Sequence, residues 1–91
     1  MADGDTHLKD PNATKDYGID WASFLAGDTI QSSTWIVPAG LTSSNPSNTS
    51  TTTTVWLAGG TLGETYTVTN RVVTAGGRTE DQSLRFYIRD R

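Results

Sequence analysis

The sequence predicts an all-β chain: a single immunoglobulin-like β-sandwich of six or seven short antiparallel strands with an extended N-terminal arm. Three observations carry this expectation. Short segments alternate apolar and polar residues with period two, the mark of a strand with one buried face. Glycine, proline and asparagine punctuate them at intervals suited to turns. No segment of helical period is long enough to bury a face. Composition agrees, since about a quarter of the chain is Ser or Thr, which suits pleated, half-buried surfaces. Three Trp, three Tyr and two Phe in 91 residues are more aromatic anchors than a disordered chain carries. The length fits one domain, divided here into a polar arm over residues 1–16 and a sandwich over 17–91.

The arm is polar throughout, with Asp10-Pro11-Asn12 as a turn, and is expected to order only where something holds it. Tyr17, Ile19 and Trp21 then alternate with Gly18 and Asp20 as a first strand. Trp21-Ala22-Ser23-Phe24-Leu25 fits a single helical turn that tucks Phe24 or Leu25 under the sandwich, and Gly27-Asp28 turns the chain. A second strand spans Thr29 to Val37. Its parity changes between Ile30 and Trp35, which predicts a bulge around Ser32-Ser33. Pro38-Ala39-Gly40 leads to a short strand at Leu41-Thr42, and Ser43 to Ser50 reads as a polar loop. Thr53, Val55 and Leu57 alternate with Thr54 and Trp56 in a further strand, closed by the glycine-rich turn Ala58 to Gly63.

The last third is the clearest element, a β-hairpin. Tyr66, Val68 and Val72 share one parity and Thr65, Thr67, Thr69 and Arg71 the other. Ala75-Gly76-Gly77-Arg78 supplies residues that tolerate positive φ. Leu84, Phe86 and Ile88 then alternate with Arg85, Tyr87 and Arg89 in the closing strand. Tyr66, Val68, Val72, Leu84, Phe86 and Ile88 are the expected core. Leu62 with Tyr66 fits a tyrosine corner, in which the phenol bonds main chain at a crossover; an ordinary strand Tyr at the rim fits equally.

Charge narrows the function. The net charge is −3 with seven basic residues, five of them after Asn70 and interspersed with Glu80, Asp81 and Asp90. That distribution offers no Lys/Arg stripe for phosphates, so nucleic acid is not an expected partner. No apolar run approaches a bilayer span, so no membrane is expected. The acidic start Met1-Ala2-Asp3-Gly4-Asp5 is unlike a signal peptide, and the absence of cysteine fits folding in a reducing cytoplasm.

Catalytic and cofactor chemistry finds no foothold, so catalytic, cofactor and metal residues are all expected to be absent. His7 is the only histidine and lies in the arm beside Asp3, Asp5 and Asp10, whereas a metal needs three or four converging ligands. A nucleophile has neither cysteine nor a placed base to activate it. Glu80 and Asp81 are adjacent in a strand and point to opposite faces. Asp3-Gly4-Asp5 lacks the remaining positions of a calcium loop. Gly59 to Gly63 is a turn, with no following Lys to make a phosphate loop. Asn12-Ala13-Thr14 and Asn48-Thr49-Ser50 fit the glycan acceptor pattern, which matters only in a eukaryotic secretory route.

Binding is the expected role. Trp56 is opposite in parity to Val55 and Leu57 and should face outward, as a protein contact or a sugar-stacking platform. Trp35 shares parity with Val37 and should be buried, and Trp21 should cover an end of the sandwich. The expected partner-binding residues are Tyr17, Trp21, Trp56, Thr65, Thr67 and Arg71, with Thr69 on the same solvent face.

An ordered set of segments then resembles a known family. Lys9-Asp10-Pro11, Asp16-Tyr17-Gly18-Ile19-Asp20-Trp21, Gly27-Asp28-Thr29-Ile30, Trp35 to Leu41, Val55 to Gly60 and Tyr66 to Arg71 are similar to small virion structural proteins of tailed bacteriophages. Their labels are fibre–tail adaptor or structural protein. The resemblance covers about residues 9–91. It implies an immunoglobulin-like sandwich in the virion, assembled in the bacterial host cytoplasm, with no catalytic residues to carry over. The partners implied are the major capsid protein or head–tail connector and tail proteins, with several copies associating in the particle. A compact sandwich with an arm favours capsid decoration or cementing. A head–tail neck or tail-fibre adaptor is the alternative, and a carbohydrate-binding module on the virion surface a second one.

Overall fold

The computed structural model describes residues 6–89. Seven strands and one helical turn follow in order: β1 (Thr6–Lys9), β2 (Lys15–Asp20), α1 (Ala22–Leu25), β3 (Ile30–Ile36), β4 (Leu41–Asn48), β5 (Thr52–Gly59), β6 (Thr65–Thr74) and β7 (Thr79–Ile88). They form two sheets, a four-stranded one in the order β1-β7-β6-β3 and a three-stranded one in the order β2-β5-β4. Packed face to face, these make the expected sandwich. The core between them holds Tyr17, Ile19, Trp21, Leu25, Ile30, Leu41, Val55, Leu57, Val68, Val72, Leu84, Phe86 and Ile88.

The hairpin forms as predicted, with β6 and β7 antiparallel from Thr65 opposite Tyr87 to Val73 opposite Thr79. Val68, Val72, Leu84, Phe86 and Ile88 are buried, and Tyr66 packs against them half-buried. The Tyr66 phenol accepts a hydrogen bond from the Thr61 main-chain N–H at 3.1 Å, which is the bond expected of a tyrosine corner. The register shift in β3 falls between Ile30 and Ser32, just before the Ser32-Ser33 position at which the parity change predicted a bulge. α1 is a single turn that buries Leu25 and lays Phe24 against the core.

Three expectations are corrected. First, Thr6–Lys9 of the predicted arm is strand β1, paired parallel to β7, so the sandwich is not wholly antiparallel. Its first five residues lie outside those described. Sequence pattern hid this strand because its inward side chains are polar. His7 stacks on Phe86 with ring centroids 5.3 Å apart and meets Tyr17 edge-on at 5.2 Å. Lys9 is buried, its ammonium donating to the carbonyls of Gly59 at 2.6 Å and Asp10 at 3.0 Å. Burial lowers the Lys9 pKa from its usual value, and the Asp10 carboxylate works against that shift.

Second, Ser43 to Asn48 is not a loop. It continues β4 along β5, with a register irregularity between Ser44 and Ser47. Every β4 residue after Leu41 is exposed, so the strand has no buried face to reveal it. It is an edge strand, where Pro46 is tolerated because it interrupts no inner ladder.

Third, Tyr17 and Trp21 are inside the protein. Trp21 anchors a polar clamp between the sheets. Its Nε1–H donates to Asn70 Oδ1 at 3.0 Å and to Thr53 Oγ1 at 3.2 Å. Thr53 Oγ1 donates to Asn70 Oδ1 at 2.6 Å, while Asn70 Nδ2 donates to Ser33 Oγ and to the Thr34 carbonyl. Buried polar groups are stabilising only when satisfied, and this network joins β5 of one sheet to β6 and β3 of the other. It holds the two outward faces back to back.

Candidate functional site

Since neighbouring residues of a strand point to opposite sides, the two outward faces follow from register. On the three-stranded sheet, β5 is central and Trp56 stands outward, 38% exposed. Asp16 of β2 is its direct cross-strand neighbour on one side and Ser44 of β4 on the other. Gly18 and Thr54 form the next row, then Asp20 and Thr52. This face therefore combines an indole, two carboxylates and several hydroxyls.

The four-stranded sheet turns out Thr65, Thr67, Thr69 and Arg71 from β6 against Tyr87, Arg85, Ser83 and Asp81 of β7. Arg71 grips Asp81 through Nε at 2.8 Å and Nη2 at 3.0 Å, both side chains partly exposed. The pair raises the Arg71 pKa and holds the Asp81 carboxyl below its ordinary value, the hydrogen bond being the larger cause for each. Thr69 and Ser83 share a hydroxyl–hydroxyl bond at 3.0 Å. Two exposed apolar side chains complete the face at its edges: Leu8 in register with Tyr87, and Ile36 opposite Thr69. At one end lies an open concavity of about 350 Å³ lined by Gly63, Glu64, Thr65, Tyr87, Ile88 and Arg89.

The six predicted partner-binding residues therefore separate into three places. Thr65, Thr67 and Arg71 share the four-stranded face. Trp56 is on the opposite one. Tyr17 and Trp21 are on neither, because both share the inward parity of Ile19. Ile36 was available from parity, being opposite to Trp35, whereas nothing in the sequence marked Leu8 as outward. Among the described residues no three His, Cys, Asp or Glu side chains converge on a metal position. No described helix is long and apolar enough to cross a membrane.

The family model of the podophage GP4 fiber-tail adaptor protein gp77 matches residues 9–87, from the end of β1 to the penultimate residue of β7. The chain belongs to this family. No curated protein matches it. Membership makes the protein a structural component of a phage virion and bears out the resemblance seen in the sequence. It supports the adaptor alternative better than capsid decoration or cementing, to which it lends nothing. The family is a structural one, not known for enzymatic activity.

Proposed function

We propose that the protein is a non-enzymatic fibre–tail adaptor whose two outward faces engage different virion proteins, a tail protein on one side and a fibre on the other. The observation that carries this reading is the family match across residues 9–87. The geometry supports it. An adaptor needs two separate contact surfaces, and the sandwich offers two that differ in chemistry: an acidic face centred on Trp56, and a threonine-rich face carrying Arg71, Leu8 and Ile36. Exposed aromatics and arginines are the residues most often energetically central to protein interfaces. Assembly in the host cytoplasm belongs to the same reading.

Virions carrying Trp56→Ala or Thr67→Arg test it. Both positions are exposed, so both variants are expected to fold, and each should abolish one contact. In one variant the adaptor is lost from the tail; in the other it remains but fibres are missing. Normal fibre content in both variants would defeat the reading. Copy number separates it from capsid decoration, which needs on the order of hundreds of copies against about six or twelve on a tail of cyclic symmetry. A second reading, sugar stacking on Trp56, draws on the Asp16 and Ser44 groups flanking the indole. Glycan-array binding lost in Trp56→Ala, with fibre attachment intact, would favour it.

A further inference from the structure

β1 is built the wrong way round for a strand that merely completes a core. Its inward residues are His7 and Lys9, while its one large aliphatic side chain, Leu8, is 49% exposed. A slip of one residue would exchange those faces. What holds the observed register is a slot assembled from three other strands: Phe86 of β7 and Tyr17 of β2 receive the His7 ring, and the Gly59 carbonyl of β5 receives the Lys9 ammonium. The slot therefore reads a particular side chain at each of two alternate positions. The segment itself is weakly secured, with four residues in a parallel pairing at a sheet edge and a buried cation held by main-chain dipoles. Such an element opens at lower free energy than the whole domain unfolds.

We propose that the β7 edge, with its His7 and Lys9 positions, is a strand-acceptor site that in the assembled tail takes Thr6–Lys9 from a second copy of this chain. Exchange keeps every contact of the slot, because the incoming segment is identical to the one displaced. Proximity of copies then selects the exchanged state. The tether limits the geometry: residues 10–14, drawn out, reach about 17 Å, so donor and acceptor copies must be in direct contact. β1 and β2 are edges of their respective sheets, and the His7–Tyr17 contact puts them on one flank. Donor and slot therefore share that flank, and exchange is reciprocal between paired copies.

The inference rests on the adaptor reading only in requiring copies to meet in the particle. The chain has no cysteine, so any disulfide is an engineered one. Leu8 and Tyr87 are opposed in register on the outward face, as are Thr6 and Arg85. Virions carrying Leu8→Cys with Tyr87→Cys are oxidised and run on a non-reducing gel. Interchain disulfides, seen as covalent dimers in most of the protein, are expected. The same variant purified and diluted should close within one chain. An exclusively intrachain disulfide in virions would overturn the proposal, as would an equal dimer yield from Leu8→Cys alone. Thr6→Cys with Arg85→Cys repeats the measurement one row along if the first pair misfolds, and failure of both to form any disulfide in virions also overturns it. Absence of the unsubstituted protein from virions would instead defeat the adaptor reading.

Discussion

Asn70 is the keystone of the clamp between the sheets, and its replacement has a calculable consequence. Asn70→Leu keeps the approximate shape and removes four hydrogen bonds, those from Trp21 Nε1 and Thr53 Oγ1 and those to Ser33 Oγ and the Thr34 carbonyl. Trp21 retains Thr53 Oγ1 as an acceptor at 3.2 Å, and half-buried Ser33 can turn to water. The Thr53 hydroxyl, fully buried, still accepts from Trp21 but loses the acceptor of its own proton. The orphaned Thr53 proton costs about 1–3 kcal/mol and the uncompensated bond to the Thr34 carbonyl about 1 kcal/mol net, giving about 3 kcal/mol in all. The whole domain is expected to have about 5–14 kcal/mol of stability. With a urea slope of about 1.5 kcal/mol per molar, the midpoint falls by about 2 M. Urea titration followed by tryptophan fluorescence measures it. Asn70→Asp, a closer isostere, should lose at least as much, because it sets an oxygen where Nδ2 met the Thr34 carbonyl 3.1 Å away. A loss under about 1 kcal/mol for Asn70→Leu would refute the clamp argument.

Other consequences are as specific. The Asp28 carboxyl has its pKa lowered to about 2, first by the Thr74 hydroxyl, then by the Thr29 and Gly76 amides and Arg78. A carboxyl depressed on folding contributes stability that is fully present above its unfolded value and lost as pH falls toward the folded one. Urea midpoints should therefore decline between about pH 4 and pH 2, and Asp28→Asn should flatten that decline. Gly60 has φ +102°, and a Cβ there would lie 2.7 Å from Ile88 Cδ1, whereas Gly27 at φ +94° has open space around it. Gly27→Ala should thus cost about 1 kcal/mol of backbone strain, and Gly60→Ala roughly 2–4 kcal/mol once crowding is added, read from thermal midpoints. Trp56→Ala should leave the unfolding free energy from urea titration within about 0.5 kcal/mol of the parent while impairing assembly, since its side chain stands on the outward face. A large stability loss would show that Trp56 serves the fold.

Sequence reading succeeded where one strand face is apolar and failed where none is. The β6–β7 hairpin, the α1 turn and the β3 bulge were legible because Val68, Val72, Leu84, Phe86, Leu25 and Ile30 mark an inside. β1 and β4 were not. In β1 the inward residues are His7 and Lys9, and in β4 nearly every side chain is exposed. Both are edge strands, defined by main-chain pairing to a neighbour that sequence periodicity does not report. Tyr17 and Trp21 were expected to bind a partner although their parity matches that of buried Ile19. Asn70 escaped notice although it alternates with Val68 and Val72, because a polar residue at an inward position reads as an exception until its partners are seen. The outward residues Trp56, Thr65, Thr67 and Arg71 were correctly oriented; that they lie on opposite faces required the sheet order.

The central claim is that one small sandwich joins two virion proteins through opposite faces. A cryo-EM reconstruction of the tail, without imposed capsid symmetry, tests it most directly. The account predicts density for the sandwich between tail and fibre base, with Trp56 against one protein and the Thr65–Arg71 strand against another. Density for the chain on the capsid lattice, or on the tail with either face open to solvent, would contradict it.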